Sequence, residues 1–521
     1  MAKKDRQILS ATSALMFNGE SCIVVTIVCI CAGNLLVQIV YNKPWDNLDS
    51  AKFLKCLRNS EGVRSPSSSF STLHYDFLFI FYFFFISEKM LFPLKHLYPR
   101  YSILKSLKKS KKFSSHKPAV ILGIESSCDD TGCGIVDSNG NILGEAINSQ
   151  CLLHSKYGGI IPTIAKNMHR QHITEVCEKA LRSANLRLRD VDAIATTVKP
   201  GLSLSLQIGE RFGKYLAVLG NKPFIPIHHM QAHALTVRIT EKVDFPYLVL
   251  LISGGHSMLV VVQNVQKFII LGSSMNNAPG EILDKAARRL KLNNIKDFNN
   301  MSGGEAVEAA ACKASNVNQF IFNDSLKSYQ DCRFSFSGIL ATCIKHITEE
   351  EKKHNIIADM IIPDVYNLCA SLQFAITKHL CHKTQRAIEF LDYINLIPED
   401  KRTLVISGGV ACNNFIAKAL DIICSELNYK LVRTPPRLCT DNGVMIAWNG
   451  VEKWISGIDI LRNESEIKNV TVETKAAIGE DWTERVRFSK LKCKRIKIEK
   501  KLAMDSTIAN DAVTISSNSI T

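Results

Sequence analysis

None of the 17 cysteines in this 521-residue chain forms a CxxC pair, and their spacing follows no regular framework. No convincing secretory signal precedes them, so reduced thiols in a cytosolic or matrix protein are expected. Extremes of composition are missing too. With 46% hydrophobic and 22% charged residues, the chain is not a collagen, a coiled coil or a wholly disordered polymer. Its length suits roughly two to four domains of about 100–200 residues. Long apolar runs are scarce. Segment 22–40 (CIVVTIVCICAGNLLVQIV) is long enough to cross a bilayer at about 20 residues, 77–86 (FLFIFYFFFI) is too short, and nothing after 118 resembles a membrane protein.

Acid is absent from one stretch altogether. Residues 90–117 (MLFPLKHLYPRYSILKSLKKSKKFSSHK) hold seven Lys, one Arg and no Asp or Glu. Leu and Phe spaced among the bases give the texture of a mitochondrial transit peptide. The stretch begins at Met90, an alternative start that would make 1–89 a doubtful extension carrying the hydrophobic segment. A second basic stretch, 485–501 (RVRFSKLKCKRIKIEKK), has nine bases and one Glu. These two segments contribute +8 each and residues 1–89 contribute +2, so of the total +15 the remainder carries −3. The body is therefore nearly neutral. Arg485–Lys501 is either a phosphate-contacting strip or a solvated face. The small, polar residues 502–521 read as a disordered tail.

From 118 onward the pattern is α/β. AVILGIESSCDDTGCGIVDSNGNILGEAINSQ reads as strand, polar turn, strand, hairpin, strand, and 247–274 (YLVLLISGGHSMLVVVQNVQKFIILGSS) repeats the plan. Helical sequence follows each. Two copies of this unit predict a duplicated fold with a lobe at 118–246, a lobe at 247–484 and a cleft between them, and a helix from about 440 that can return to the first lobe. The two turns would face across the cleft and present backbone N–H groups to a phosphate chain. A third Gly turn, Ser407-Gly408-Gly409, lies between a β-branched strand and a helix, a common anion site and an equally common packing device.

Several residues carry possible chemistry. His229 and His233 lie four apart in IPIHHMQAHALTVRI, on one face if the segment is a helix, and are either a metal clamp or a structural pair. A zinc protease of the H-E-x-x-H type would need Glu where Met230 stands. Asp441 would supply a third ligand, or it or Thr440 would cap the following helix. Two imidazoles and one carboxylate suit Zn or Fe(II). Asp129 and Asp130 in the first turn are candidates to orient water or metal or to accept a proton, or are turn formers. Asp284 would reach a hydroxyl-bearing ligand or pair with Arg288.

Taken in order, these motifs resemble one family, the tRNA N(6)-adenosine threonylcarbamoyltransferases of the actin/sugar-kinase/chaperone-ATPase fold, and most of all its mitochondrial members. The resemblance covers about 119–480 and includes GIESSCDDT (123–131), HSKYGGIIP (154–162), KPGLSLSL (199–206), HHMQAHAL (228–235), LISGGHS (251–257), PGEILDKAARRL (279–290), MSGGEAVE (301–308), FSFSG (334–338), SGGVACN (407–413) and RLCTDNGVMIAWNG (437–450). It implies that His229, His233 and Asp441 hold one divalent ion. It also implies that Leu251, Ile252, Ser253, Gly254, Gly255, Asp284, Gly304 and Asn413 bind the adenylate substrate, threonylcarbamoyl-AMP, and that Asp129 is needed for activity. The implied reaction transfers the threonylcarbamoyl group to N(6) of the adenosine 3′ of the anticodon, in mitochondrial matrix tRNAs reading codons that begin with A, with release of AMP. Relatives that act alone suggest a homodimer, and membrane association of the mature protein is not expected.

The chain departs from the family at Gln231 and Thr163, where Glu is usual, and at Asp130, often Glu; no implied metal ligand is lost. Two other readings compete: a small-molecule kinase or phosphotransferase of the same fold, and a non-enzymatic nucleotide-gated binding protein. The histidine pair with Asp441 favours the transferase, since kinases of this fold rely on carboxylates and Mg²⁺.

Overall fold

A computed structural model describes residues 9–17, 21–30, 34–40 and 117–502, apart from 158 and 327. Strands β1 (Leu9–Phe17), β2 (Ser21–Ile30) and β3 (Asn34–Val40) form an antiparallel sheet in a unit of its own. Run 22–40 is thereby divided between two strands, with Ile30 opposite Asn34. Among the described residues no helix is long and apolar enough to cross a membrane. The transit segment (all but Lys117), the run 77–86 and the tail beyond 502 lie outside the described residues.

The second unit is built on two sheets. In the first, β4 (Val120–Glu125) starts an antiparallel meander through β5 (Asp130–Asp137) and β6 (Ile142–Ser149). Helices α1 (Cys151–Lys156) and α2 (Pro162–Ser183) lead to β7 (Ala193–Lys199), and α3 (Ser203–Gly220) leads to β8 (Phe224–His228). Both late strands run parallel to β4, giving the order β6-β5-β4-β7-β8. A short helix, α4 (His229–Leu235), follows.

The plan then repeats. β9 (Tyr247–Ile252), β10 (Ser257–Val262) and β11 (Phe268–Ser273) form the second meander. Helices α5 (Pro279–Arg289), α6 (Gly303–Ala311), α7 (Ser337–Lys353) and α8 (Val365–Tyr393) precede β12 (Thr403–Ser407). After α9 (Asn414–Glu426) comes β13 (Lys430–Arg433), so the order is β11-β10-β9-β12-β13, with β14 (Glu480–Asp481) added beside β11. Identical strand order and direction in the two sheets make the fold a duplicated α/β architecture of the actin/sugar-kinase/chaperone-ATPase type. β4 and β9 are fully buried, as strands covered on both faces must be.

Helices cover both faces of each sheet. α2 and α3 cover the outer face of the first sheet through Ile173 and Phe212 against Leu122 and Ile124. The outer face of the second sheet is covered by α5, α8 and α9, whose Ile282, Ile376 and Leu420 join Leu250. Between the sheets lie α4 and a later helix. One turn at α10 (Pro436–Cys439) precedes that helix, α11 (Gly443–Ser456). Met230, Leu235, Val444 and Val451 share one core with Ile121 and Ala195 of the first sheet and Val249 and Leu251 of the second. α11 thus leaves the second lobe and packs on the first. Its approach to β4 and β5 needs missing side chains: a Cβ at Gly132 would lie 2.7 Å from the Gly443 nitrogen, and one at Gly123 2.8 Å from Ala447 Cα. The turns after β4, β9 and β12 all sit at the carboxyl ends of their strands, where open α/β sheets bind ligands.

Candidate functional site

β8 delivers the chain into α4, whose first residue is His229. The four-residue spacing stacks His229 and His233 with ring centroids 4.7 Å apart and planes at 87°. Asp441 enters from the loop before α11. Neither it nor Thr440 caps that helix, contrary to the capping alternative: Asn442 does, its side chain accepting from Met445 N at 2.9 Å. Asp441 is left free to face the histidines, with Oδ1 3.0 Å from His233 Nε2 and 3.5 Å from His229 Nε2. One donor atom from each of the three falls within 4.8 Å of the others. The residues fit a cation: the set is two nitrogens and an oxygen, both histidines are buried, and among the described residues the Nδ1 of His233 has no hydrogen-bond partner.

Behind His229 stands Glu125, the last residue of β4 and fully buried. Its Oε1 accepts from Ser127 N at 2.5 Å, its Oε2 accepts from Thr197 Oγ1 at 2.6 Å, and Oε2 lies 3.2 Å from His229 Nδ1. Ser127 Oγ also reaches that nitrogen at 3.1 Å. Burial alone would deprotonate His229, but the charges of Asp441 and Glu125 outweigh it and hold the imidazolium up to about 9. Burial raises Asp441 in turn, yet His229 and His233 pull it well below the usual carboxylate range.

The substrate positions implied by resemblance lie on several separate elements of the second sheet's half of the chain. Leu251 and Ile252 point into the core, leaving only their backbone for a ligand. Ser253 folds the turn by accepting from Gly255 N and His256 N. Gly254 and Gly255 are exposed, with nothing within 4 Å of an added Cβ. The turn after β12 closes on the same segment, since Gly408 (φ +97°) packs against the Ile252 carbonyl and Ser407 Oγ donates to His233 O at 2.9 Å. Asp284 turns to the backbone N–H groups of Gly304 and Gly303 rather than forming an ion pair with Arg288; burial lifts its carboxyl, and those N–H groups oppose the rise. Asn413 caps α9, accepting from Ile416 N at 3.0 Å, and its amide lies 3.5 Å from Gln373 Oε1. In the first turn, burial and then the charge of Asp441 raise Asp129. Asp130 reaches about 7 by burial, with Asp441 and Asp129 adding to the rise.

Gln231, where an acid is usual, donates to Ile478 O at 3.3 Å. A carboxylate has no proton to give there, so the amide suits this contact. Thr163 is exposed in the first turn of α2. Sequence reasoning passed over Glu125 and His256. A carboxylate ending the wholly buried strand VILGIE was the available signal, because such a charge is costly unless paired. His256 follows the exposed glycines; burial and then repulsion from His229 and His233 push it down to about 4.

Comparison with known proteins gives this arrangement its context. The family model described as TsaD, tRNA N6-adenosine threonylcarbamoyltransferase, matches residues 141–448. The mitochondrial tRNA N6-adenosine threonylcarbamoyltransferase of Xenopus tropicalis is 47% identical over 381 residues, spanning 73% of this chain and 93% of that protein. Its counterparts in Mus musculus and Homo sapiens are each 45% identical, over 388 and 380 residues. They cover 74% and 73% of this chain and 92% and 91% of their own lengths. With the duplicated sheets, the metal-fitting triad and these relatives agreeing, the chain belongs to the tRNA N6-adenosine threonylcarbamoyltransferase family and is a transferase of its mitochondrial type.

Proposed function

We propose that this enzyme transfers the threonylcarbamoyl group of threonylcarbamoyl-AMP to N(6) of the adenosine 3′ of the anticodon, in mitochondrial tRNAs reading codons that begin with A. The observation that carries this reading is the convergence of His229, His233 and Asp441 on one point beside the open turn at Gly254 and Gly255. Kinases of this fold need no such imidazole pair, and the family relationship also favours the transferase.

The chemistry asks for three things. Adenosine N(6) is a weak nucleophile, so the donor carbonyl must be held close to it. The exposed turn Ser253–Gly255 supplies the backbone N–H of Gly254 for the donor phosphate, and Asp284 accepts from a ribose hydroxyl. As N(6) bonds to the carbamoyl carbon, the carbon–oxygen bond to phosphate breaks and AMP departs. Asp129, made more basic by burial and by Asp441, takes the N(6) proton. His229, His233 and Asp441 would hold a Zn or Fe ion, which when bound supplies positive charge against the departing phosphate.

The test supplies purified full-length protein with threonylcarbamoyl-adenylate and unmodified mitochondrial tRNA. Modified adenosine and stoichiometric AMP are the expected products. Absence of product under conditions where a bacterial relative works sinks the reading, and ATP consumption with a small hydroxylated substrate supports the kinase instead.

A further inference from the structure

The basic segment 485–501 lies along the second lobe as part of its packing. A short helix, Thr483–Phe488, buries Val486 in that core. Beyond it Leu491 and Ile496 are partly buried against the same core, and Ile498 is fully buried. The backbone is tied to α8: Gln385 Nε2 donates to Lys494 O at 2.8 Å and its Oε1 accepts from Ile496 N at 3.1 Å, while Arg386 Nη1 donates to Leu491 O at 2.8 Å.

This anchoring sorts the nine bases. Four are engaged locally: Arg485 over the Trp482 ring at 4.0 Å, Arg487 with Glu484 at 3.2 Å, Arg495 with Asp324 at 2.8 Å, and Lys501 with Glu426. The other five, Lys490, Lys492, Lys494, Lys497 and Lys500, are exposed. Among the described residues none of them is paired with a carboxylate. A frayed tail would lose much of its attraction to the cost of ordering; an anchored one presents five ammonium groups already in place.

Position narrows the ligand. Lys501 pairs at Glu426, the last residue of α9, whereas Asn413 caps its start. At 1.5 Å per residue that helix alone spans about 20 Å, too far for the small adenylate donor to bridge. A polyanion of macromolecular size is needed. We propose that Lys490, Lys492, Lys494, Lys497 and Lys500 form a docking strip for the phosphate backbone of the tRNA acceptor, remote from the reacting adenosine. The proposal rests on tRNA being the acceptor.

The experiment compares the full chain with a variant carrying all five Lys→Gln changes and a second carrying all five Lys→Arg. Affinity for unmodified tRNA is measured by fluorescence anisotropy between 50 and 200 mM salt, alongside transfer kinetics, thermal melting and binding to anionic phospholipid vesicles. The Gln variant should melt like wild type, lose tRNA affinity, and show a slope of log K against log salt shallower by about 3.5–4.5, at about 0.7–0.9 for each phosphate no longer neutralised. Its KM for tRNA should rise while kcat holds, and the Arg variant should behave as wild type. Unchanged tRNA affinity and salt slope in the Gln variant overturn the strip. So does loss of vesicle binding with tRNA binding intact. A wild-type protein that transfers nothing condemns the transferase reading; a wild type that transfers beside an unaltered Gln variant condemns the strip alone.

Discussion

Oε2 of Glu125 stands 3.2 Å from Nδ1 of His229, while Nε2 of the same ring faces Asp441 Oδ1 at 3.5 Å. One imidazole is held between two carboxylates, the inner one fully buried and anchored by Ser127 and Thr197. A proton on Nδ1 donated to Glu125 leaves the Nε2 lone pair for a cation. Removing such a partner from a metal-binding His costs about 10–100-fold in affinity. Glu125→Gln should therefore weaken Zn binding by about that factor in competition with a chromophoric chelator. Wild-type affinity in this variant would show that the carboxylate does not orient the ring.

Metal uptake should depend on pH. Without a cation His229 keeps its proton up to about 9, because Asp441 and Glu125 overcome the effect of burial. A metal must displace that proton, so affinity should rise about tenfold per pH unit through neutrality and level off above the His229 value. Calorimetry in buffers of different ionisation enthalpy should show about one proton released per ion at neutral pH.

Asp130 predicts an opposite trend for stability. Burial, with Asp441 and Asp129 adding to it, holds its carboxyl near 7 in the folded chain, against 3.8 ordinarily. Between those values the folded state binds more protons than the unfolded one, so stability falls as pH rises through the window. Asp130→Asn removes that loss. In metal-free protein its advantage in Tm over wild type should be larger at pH 8 than at pH 5; an advantage independent of pH would contradict the assignment.

The packing of α11 on the first sheet leaves no room for a methyl group. Gly443→Ala would drive Cβ into the backbone of Cys133 and Gly134. Overpacking of this kind costs about 1–3 kcal/mol or more and should lower Tm by several degrees. Gly254→Ala meets nothing within 4 Å and should melt like wild type.

Cys412, beside Asn413, is the thiol to watch. A hydrogen bond with Cys439 lowers it to about 7, burial working against the shift and Arg433 assisting it. Burial pushes Cys369 and Cys381 far above the usual thiol range. Iodoacetamide at neutral pH should label Cys412 well ahead of these two in peptide mapping, at a rate that rises through pH 7. If the adenylate site adjoins Asn413, the donor should slow this labelling.

Much of the architecture was determined by local pattern. The apolar strands with polar or Gly-containing turns between them identified both meanders, and the four-residue spacing put His229 and His233 on one face, because strand and helix periods act over a few residues. Tertiary structure decided what depends on distant approach. Asn442 rather than Asp441 caps α11, and that choice frees the carboxylate to meet histidines more than 200 positions earlier in the chain. Glu125 finds His229 across 104 residues; the sequence showed only an acid at the end of an apolar strand. Composition made 485–501 basic, but only its packing against α8 decided which five lysines remain open. Local period sets which way a side chain points along its own element, whereas the packing of separate elements determines what it meets.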